Sequence, residues 1–181
     1  MIKKIILATT IIGLSAGFVH PPVKKSPNEK VIGLNIGNIA PELKYKSPGG
    51  KLISLSSLRG KMVLIDFWAS WCGWCRKENP NLVQAYDKYS KAKFKTSKGF
   101  EIYSLSLDQR KDKWISAIKQ DNLKWASHVS DLGGWNSAGA VKYNIKGIPN
   151  SLLIDENGII VAKNLKGIAL HQELDKYVKS F

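Results

Sequence analysis

The sequence has few residues that bind metals or form disulfides. It contains two cysteines, Cys72 and Cys75, and three histidines among 181 residues. A structural zinc site needs about four nitrogen or sulfur ligands. His20, His128 and His171 lie at none of the spacings from the cysteine pair that zinc sites use. This scarcity argues against a zinc site and leaves the two cysteines to be explained by their own chemistry.

Acidic residues are also scarce, with 14 Asp and Glu against 28 Lys and Arg, which gives a formal net charge of +14. Such a surplus is compatible with binding to nucleic acid or to an anionic membrane surface. The lysines, however, are scattered from end to end, and no basic stripe is interleaved with aromatic residues. We therefore interpret the charge as a solvated surface and expect no nucleic-acid partner.

The sequence lacks an apolar run of the roughly 18 residues that a membrane-spanning helix needs. A shorter apolar stretch, Ile5 to Val19, follows the basic start Met1-Ile2-Lys3-Lys4, which is the pattern of a signal peptide. We predict a signal peptide over residues 1–17, with an uncleaved anchor as the alternative, and a proline-rich linker over residues 18–32. No cysteine lies nearby, which argues against a lipid anchor. Either form would place the domain in the periplasm or at the outer face of the inner membrane, where disulfides persist.

The two cysteines are spaced C-x-x-C at a predicted junction between a strand and a helix. The apolar run Met62 to Trp68 predicts a buried strand, and a helical stretch begins near Arg76. A helix N-terminus carries unpaired N–H groups and partial positive charge, which favour a thiolate on Cys72. A purely structural disulfide is a weaker explanation, because closing so small a loop removes little entropy from the unfolded chain. The spacing therefore predicts a redox-active pair.

The stretch from Val63 to Arg76 resembles the active-site strand and helix of thioredoxin. The wider chain, residues 33–181, resembles the exported TlpA/ResA-like thiol–disulfide oxidoreductases of that superfamily, and it carries the second motif Gly147-Ile148-Pro149. One difference is that Gly73-Trp74 stands between the cysteines where thioredoxins usually carry Gly-Pro. In this superfamily the two intervening residues tune the redox potential.

The resemblance and the hydrophobic pattern together predict an α/β, thioredoxin-like fold. Its central mixed β-sheet is flanked by helices, with an N-terminal β-hairpin extension around Pro48-Gly49-Gly50 and a central insertion over residues 110–146. We predict a helix from the cysteine pair to about Lys93 and a helix that Asp112 caps. A closing amphipathic helix is predicted over residues 170–181. The predicted strands, besides 62–68 and the two of the hairpin, are residues 100–107, 125–129, 151–154 and 159–163.

The cysteines and two acids are the candidate catalytic residues. Cys72 is predicted to be the attacking thiolate, which the basic residues Arg76 and Lys77 would stabilise. Cys75 is predicted to be the less exposed resolving thiol. Asp66 matches the buried aspartate of thioredoxin, which implies a proton acceptor, and its apolar strand predicts a raised pKa. Glu78 matches an acid near the site of ResA-like proteins; the alternative is a solvated acid in the first helical turn.

The remaining candidate site residues are expected to bind substrate. Trp71, Gly73 and Trp74 flank the thiols and suggest an apolar docking surface, with simple packing as the alternative for Trp71. The resemblance implies that Pro149 follows a cis peptide bond beside the cysteines. It also implies that the backbone of Ile148 pairs with an extended substrate segment.

The sequence thus predicts an enzyme that reduces disulfides of exported proteins, with apocytochrome c as one candidate substrate and a membrane thiol protein as electron donor. The expected redox group is the Cys72–Cys75 disulfide itself, without cofactor or metal, in a monomer. A peroxiredoxin-like thiol peroxidase is one alternative, but the Pro-x-x-x-Thr/Ser-x-x-Cys setting is missing before Cys72. A copper chaperone that uses both thiolates is another, although it lacks a third ligand.

Overall fold

A computed structural model describes residues 31–181 of the chain. The predicted signal peptide and nearly all of the linker lie outside these residues. The described helices are α1 (Gly73–Tyr89), α2 (Lys111–Gln120), α3 (Ala138–Lys142) and α4 (Ile168–Asp175). The strands are β1 (Lys44–Lys46), β2 (Leu52–Ser54), β3 (Met62–Trp68), β4 (Lys93–Phe94), β5 (Phe100–Ser106), β6 (His128–Val129), β7 (Asn150–Ile154), β8 (Ile160–Lys163) and β9 (Val178–Ser180). Within residues 31–181, no helix combines the length and the apolar character that crossing a membrane requires.

A five-stranded sheet with the order β6-β5-β3-β7-β8 forms the centre of the molecule. Strand β3 pairs in parallel with β5 and antiparallel with β7, so the sheet is mixed, as predicted. Every residue of β3 and β5 is buried. Because successive side chains of a strand point to opposite faces, both faces of the sheet must be covered. This explains why the apolar run of β3 is continuous rather than alternating.

The N-terminal hairpin and the insertion are present as predicted. Strands β1 and β2 pair antiparallel around the Pro48-Gly49-Gly50 turn. Lys46 of the hairpin forms a bridge with Ser130, directly after β6. The hairpin therefore joins the end of the edge strand β6, where the N–H of Ser130 donates to the carbonyl of Lys46 at 3.0 Å and so has a backbone partner. Residues 110–146 contribute α2, β6 and α3.

The predicted closing helix is wrong beyond Asp175. Helix α4 ends there, and Val178–Ser180 forms β9, which pairs antiparallel with β4. The amphipathic spacing of residues 170–181 fits a helix locally, but strand pairing with β4 determines the conformation of the last residues. Helix α1 likewise ends at Tyr89 and not near Lys93 as predicted. Lys93–Phe94 forms β4, the partner of β9 in this two-stranded sheet.

Two smaller predictions in the insertion also need correction. The strand predicted for residues 125–129 is only His128–Val129, and Trp125 lies in the loop before it, where its indole is buried. Helix α2 begins after Arg110, without a side-chain cap, and Asp112 lies in its first turn paired with Arg110. His128 is a packed strand residue, as predicted: burial lowers its pKa to about 4.

Candidate active site

Cys72 and Cys75 form a disulfide where β3 leads into α1. Cys72 is the N-cap of α1, and the backbone N–H of Cys75 donates a hydrogen bond of 3.1 Å to Cys72 Sγ. Such an N–H would stabilise negative charge on that sulfur once the bond is reduced. Cys72 is 7% exposed and Cys75 is 1% exposed. The geometry therefore makes Cys72 the more accessible sulfur and the one whose thiolate α1 can stabilise.

Asp108 holds the loop between β3 and Cys72. Its side chain is buried and accepts hydrogen bonds from the backbone N–H of Ser70 at 2.9 Å and from the hydroxyl of Ser70. Ser106 donates a further hydrogen bond of 2.7 Å to the same carboxylate. Because Ser70 lies two residues before Cys72, these bonds fix the position of the N-terminus of α1. Sequence reasoning missed Asp108, although an acid directly after an apolar strand was a usable signal.

Arg76 does not contribute free positive charge to the thiol, contrary to the prediction. Its guanidinium is ion-paired with Asp121 through two hydrogen bonds and also donates to the backbone carbonyl of Ser70. Asp121 raises the pKa of Arg76, so the guanidinium stays charged, and the carboxylate of Asp121 offsets that charge within the ion pair. The next basic residue, Lys77, places its Nζ 4.6 Å from the ring centroid of Trp74. Stabilisation of a Cys72 thiolate therefore rests mainly on the backbone of α1.

Asp66 is a buried acid in the centre of β3. Burial raises its pKa to about 7, as the sequence predicted, and the nearby charge of Glu78 acts in the same direction. The hydroxyl of Ser104, its partner on β5, donates a hydrogen bond of 3.1 Å to Asp66 and opposes that rise. With a pKa near neutrality, Asp66 can gain or lose a proton at working pH, which a proton acceptor must do.

The orientation of the Ser104 hydroxyl is fixed by Trp125. The indole N–H of Trp125 donates to Ser104 Oγ at 3.0 Å, and an indole nitrogen can only donate. Ser104 Oγ therefore accepts there, and its single proton is directed to Asp66. Neither residue was singled out from the sequence. Their roles depend on strand register and on a loop, neither of which a single-sequence pattern specifies.

Glu78 lies in the second turn of α1 and is half-buried, so the alternative of a solvated first-turn acid is wrong. One of its carboxylate oxygens accepts hydrogen bonds of 2.8 Å from Asn81 Nδ2 and from the backbone N–H of Gly167. The second bond joins α1 to the start of α4. Glu78 is also near enough to Asp66 to affect its pKa. The structure thus gives Glu78 a structural contact in addition to an electrostatic one.

The segment Ile148-Pro149 lies against the disulfide. Its peptide bond is cis, as the resemblance implied, and the carbonyl oxygen of Ile148 lies 3.8 Å from Cys72 Sγ. A groove of about 390 Å³ runs beside it, lined by Trp74, Lys77, Glu78, Ile148, Pro149 and Lys166. Trp74 is 73% exposed. Gly73 is also exposed and borders open space, since an added Cβ would have no atom of residues 31–181 within 4 Å apart from its chain neighbours and the backbone of its own helix. Four of the five predicted substrate-binding residues therefore surround Cys72 on this side.

Trp71, the fifth, is 54% exposed, so it is not a simple packing residue. Its ring contacts that of Trp135, with 6.0 Å between the centroids. Sequence reasoning did not single out Trp135, although a Gly-Gly turn directly before an aromatic residue could have indicated an exposed ring.

Among residues 31–181, no group of three or more His, Cys, Asp or Glu side chains could hold a metal ion.

Comparison with known proteins agrees with the fold and with the cysteine pair. A family model described as thioredoxin-like matches residues 60–160. The thiol-disulfide oxidoreductase ResA of Bacillus thuringiensis subsp. konkukian is 33% identical over 147 residues, which cover 81% of this chain and 78% of the relative.

Solved structures give the same result. The thioredoxin domain of a thiol-disulfide oxidoreductase from Bacteroides vulgatus is 36% identical, with a TM-score of 0.71 over 80% of this chain and 98% of that chain. A thiol-disulfide oxidoreductase from Bacteroides fragilis is 31% identical, with a TM-score of 0.69 over 77% and 98%. The fold and the paired sulfurs thus define a thiol–disulfide oxidoreductase. The chain belongs to the thioredoxin-like family, and within it to the TlpA/ResA-like oxidoreductases.

Proposed function

We propose that this enzyme reduces disulfides of exported proteins and is returned to its dithiol form by a membrane thiol donor. The observation that carries the proposal is the position of Cys72. It is the N-cap of α1, its sulfur accepts a hydrogen bond from the N–H of Cys75, and it lies beside the carbonyl of Ile148. That arrangement favours a thiolate at the point where an extended substrate segment can approach.

The reaction begins with attack of the Cys72 thiolate on one sulfur of the substrate disulfide. The substrate S–S bond breaks, a mixed disulfide forms on Cys72, and the other substrate sulfur leaves as a thiolate. Cys75 then attacks Cys72 Sγ, which forms the Cys72–Cys75 disulfide and releases the second substrate thiolate. The substrate gains two electrons and the enzyme loses two, which a dithiol donor must later restore.

Cys75 must lose a proton before it can attack, and Asp66 is the proposed acceptor. Its carboxyl is buried and has a pKa of about 7, so a substantial fraction is ionised at neutral pH. Ser104 and Trp125 direct a hydrogen bond to it, which favours the ionised form. Glu78 would act on the same step through its charge, with Asn81 and Gly167 fixing its position.

The exported location is supported by the signal-peptide pattern of residues 1–17 and by the redox motif. Disulfides persist in the periplasm and at the outer face of the inner membrane, so substrates for a reductase exist there. Exported proteins with disulfides, apocytochrome c among them, are the proposed substrates. The named relatives are thiol-disulfide oxidoreductases rather than peroxidases or copper carriers, which favours this function over both alternatives.

Mixed-disulfide trapping tests the proposal. A Cys75→Ser variant, produced with its full N-terminus in the source cell, should accumulate disulfide-linked partners that have paired cysteines and whose precursors begin with signal peptides. The Cys72→Ser variant is the matched control and should trap none. Partners confined to the cytoplasm, or equal trapping by both variants, would contradict the proposed substrates or the roles of the cysteines.

A further inference from the structure

Two half-exposed tryptophans lie in contact directly beside the disulfide. Trp71 directly precedes Cys72 and is 54% exposed. Trp135 directly follows Gly133-Gly134, three residues before α3 begins, and is 49% exposed. Their ring planes are tilted by 54°. Exposed clusters of large aromatic side chains mark binding surfaces, and tryptophan is enriched among the residues that carry binding energy. The pair is therefore a candidate binding element that the disulfide chemistry itself does not require.

The loop that carries Trp135 is held rigidly. The carboxylate of Asp131 accepts hydrogen bonds from the N–H of Gly133 at 3.1 Å, from the hydroxyl of Ser137 at 3.1 Å and from the N–H of Ala138 at 2.9 Å. A Cβ on Gly133 would lie 2.9 Å from Ser137 Cα, so the loop is closed tightly on itself. A side chain presented by such a loop loses little conformational entropy on binding.

The two rings line a cleft of about 430 Å³, within the range of small-ligand sites, roughly 300–1,000 Å³. Gln109 and Asn136 line the cleft as well, and the fully buried Leu107 lies at its base. This cleft shares no residue with the groove beside Ile148 and Pro149. It is therefore a separate subsite, large enough for an aromatic side chain.

A second cleft, also of about 430 Å³, shares Trp71 and Gln109 with the first and includes Arg110 and Lys113. Arg110 is paired with Asp112, whereas Lys113 is exposed and forms no ion pair within residues 31–181. Asp108 also lines this cleft, but its carboxylate is buried and hydrogen-bonded to Ser70 and Ser106. Of the charged side chains that line this cleft, Lys113 is therefore the one that is exposed and not ion-paired in the described part of the chain, because Asp108 is buried and Arg110 is paired.

From these observations we infer that the Trp71–Trp135 cleft binds an aromatic side chain of the polypeptide substrate, next to an acidic residue that reaches Lys113. Because Trp71 adjoins Cys72, the aromatic residue lies close in sequence to the substrate cysteine that forms the mixed disulfide. This inference rests on the proposed reductase function and adds a substrate class to it. Polypeptides with Phe-Glu or Tyr-Asp beside a disulfide cysteine are the preferred substrates.

The test compares two oxidised peptides that differ only beside the cysteine, one with Phe-Glu and one with Ala-Ser. We expect the wild-type enzyme to reduce the Phe-Glu peptide with about tenfold higher kcat/KM, mainly through a lower KM. Trp135→Ala should abolish this preference, Trp135→Phe should retain most of it, and Lys113→Ala should lower it. Val141→Ala, which removes an exposed apolar side chain on α3 outside the cleft, is the matched control and should retain it fully.

A binding measurement separates this inference from the reductase function. A Phe-Glu peptide with serine in place of cysteine cannot react, and its titration should shift the indole N–H resonances of Trp71 and Trp135 in NMR spectra. Failure to reduce either peptide or hydroxyethyl disulfide, with binding intact, would overturn the reductase function alone. Equal kcat/KM for both peptides in the wild type, or an unchanged preference in Trp135→Ala, would overturn the subsite. A preference that survives Lys113→Ala and high salt would overturn the acidic half of the inference.

Discussion

At the scale of single residues, Cys72 and Cys75 share their chemistry but differ in environment. Cys72 Sγ receives the N–H of Cys75, whereas Cys75 lies inside the first turn of α1 and is almost fully buried. A thiolate at a helix N-terminus reacts faster than a thiol buried in apolar surroundings, because the thiolate is the nucleophile and such burial disfavours it. The two residues should therefore be separable by their reactivity.

We predict that Cys72 is the only thiol of the reduced protein that alkylates rapidly at pH 7. Rapid-quench labelling with iodoacetamide, followed by peptide mass spectrometry, measures both rates. Cys72 should react at least tenfold faster than Cys75, because it is more exposed and α1 stabilises its thiolate. Faster labelling of Cys75 would reverse the assigned roles.

Asp66→Asn should slow the resolving step more than the first attack. The amide keeps the size of the side chain but cannot accept the proton of Cys75. A loss of about 100-fold in resolution is expected, at the low end of what a general base contributes. Stopped-flow kinetics with a chromogenic disulfide separates the two steps, and Ser57→Ala, on an exposed turn, serves as a control. An unchanged resolving rate at pH 7 would exclude Asp66 as the base.

The same acid should make stability depend on pH. Burial raises the pKa of Asp66 to about 7, whereas in the unfolded chain it ionises near pH 4. Between these values the folded protein keeps a proton that the unfolded chain has lost, so the free energy of unfolding falls as pH rises. Asp66→Asn should therefore stabilise the oxidised protein at pH 8 by about 2–4 kcal/mol and have little effect at pH 4. Urea denaturation at both pH values measures this; an equal effect at both would contradict it.

Residue by residue, the sequence predicted the acids and thiols better than the groups that position them. The C-x-x-C spacing and a lone aspartate in an apolar strand can be recognised in the linear sequence. Ser104, Trp125 and Trp135 act through strand register, a loop and a ring contact. None of these has a sequence pattern of its own, so only the folded chain connects them with the site.

At the scale of elements, the site depends on α1 and on the loops that hold its N-terminus. Strand β3 and α1 could be predicted because each has a strong pattern: a continuous apolar run, and apolar residues at helical spacing after the cysteines. The short strands β4 and β9 could not, because each is stabilised by the other across more than 80 residues of chain. Long-range pairing of this kind overrides local periodicity.

The 131–138 loop is the element whose integrity we expect to affect substrate preference. Asp131→Ala removes three hydrogen bonds, including the one to the N-terminus of α3 at Ala138. We predict a loss of about 1–3 kcal/mol in the free energy of unfolding, because the bond that caps α3 and the bond to the buried Ser137 are lost together. The Phe-Glu preference should also fall. Asp87→Ala, an exposed acid on α1 outside both clefts, is the matched control, with a change below about 0.5 kcal/mol; equal effects in both variants would contradict the role of the loop.

At the scale of the whole molecule, the fold combines a surplus of positive charge with a site whose candidate acids are withdrawn from solvent, Asp66 fully and Glu78 in part. In the proposed mechanism, negative charge on Asp66 and Glu78 would disfavour the thiolates and hence favour the disulfide form over the dithiol. The helix N-terminus at Cys72 has the opposite effect. The balance of these terms determines the direction of electron flow, and the proposed reductase function requires the acids to dominate.

The redox potential of the Cys72–Cys75 pair tests this central claim most directly. Equilibration of the protein against a dithiothreitol or glutathione series, with thiol trapping as the readout, gives the value. We predict a potential near that of thioredoxin, about −270 mV, as a reductant requires. A value more positive than about −180 mV, the potential of protein disulfide isomerase, would show that the protein donates disulfides and would contradict its proposed role as a reductase.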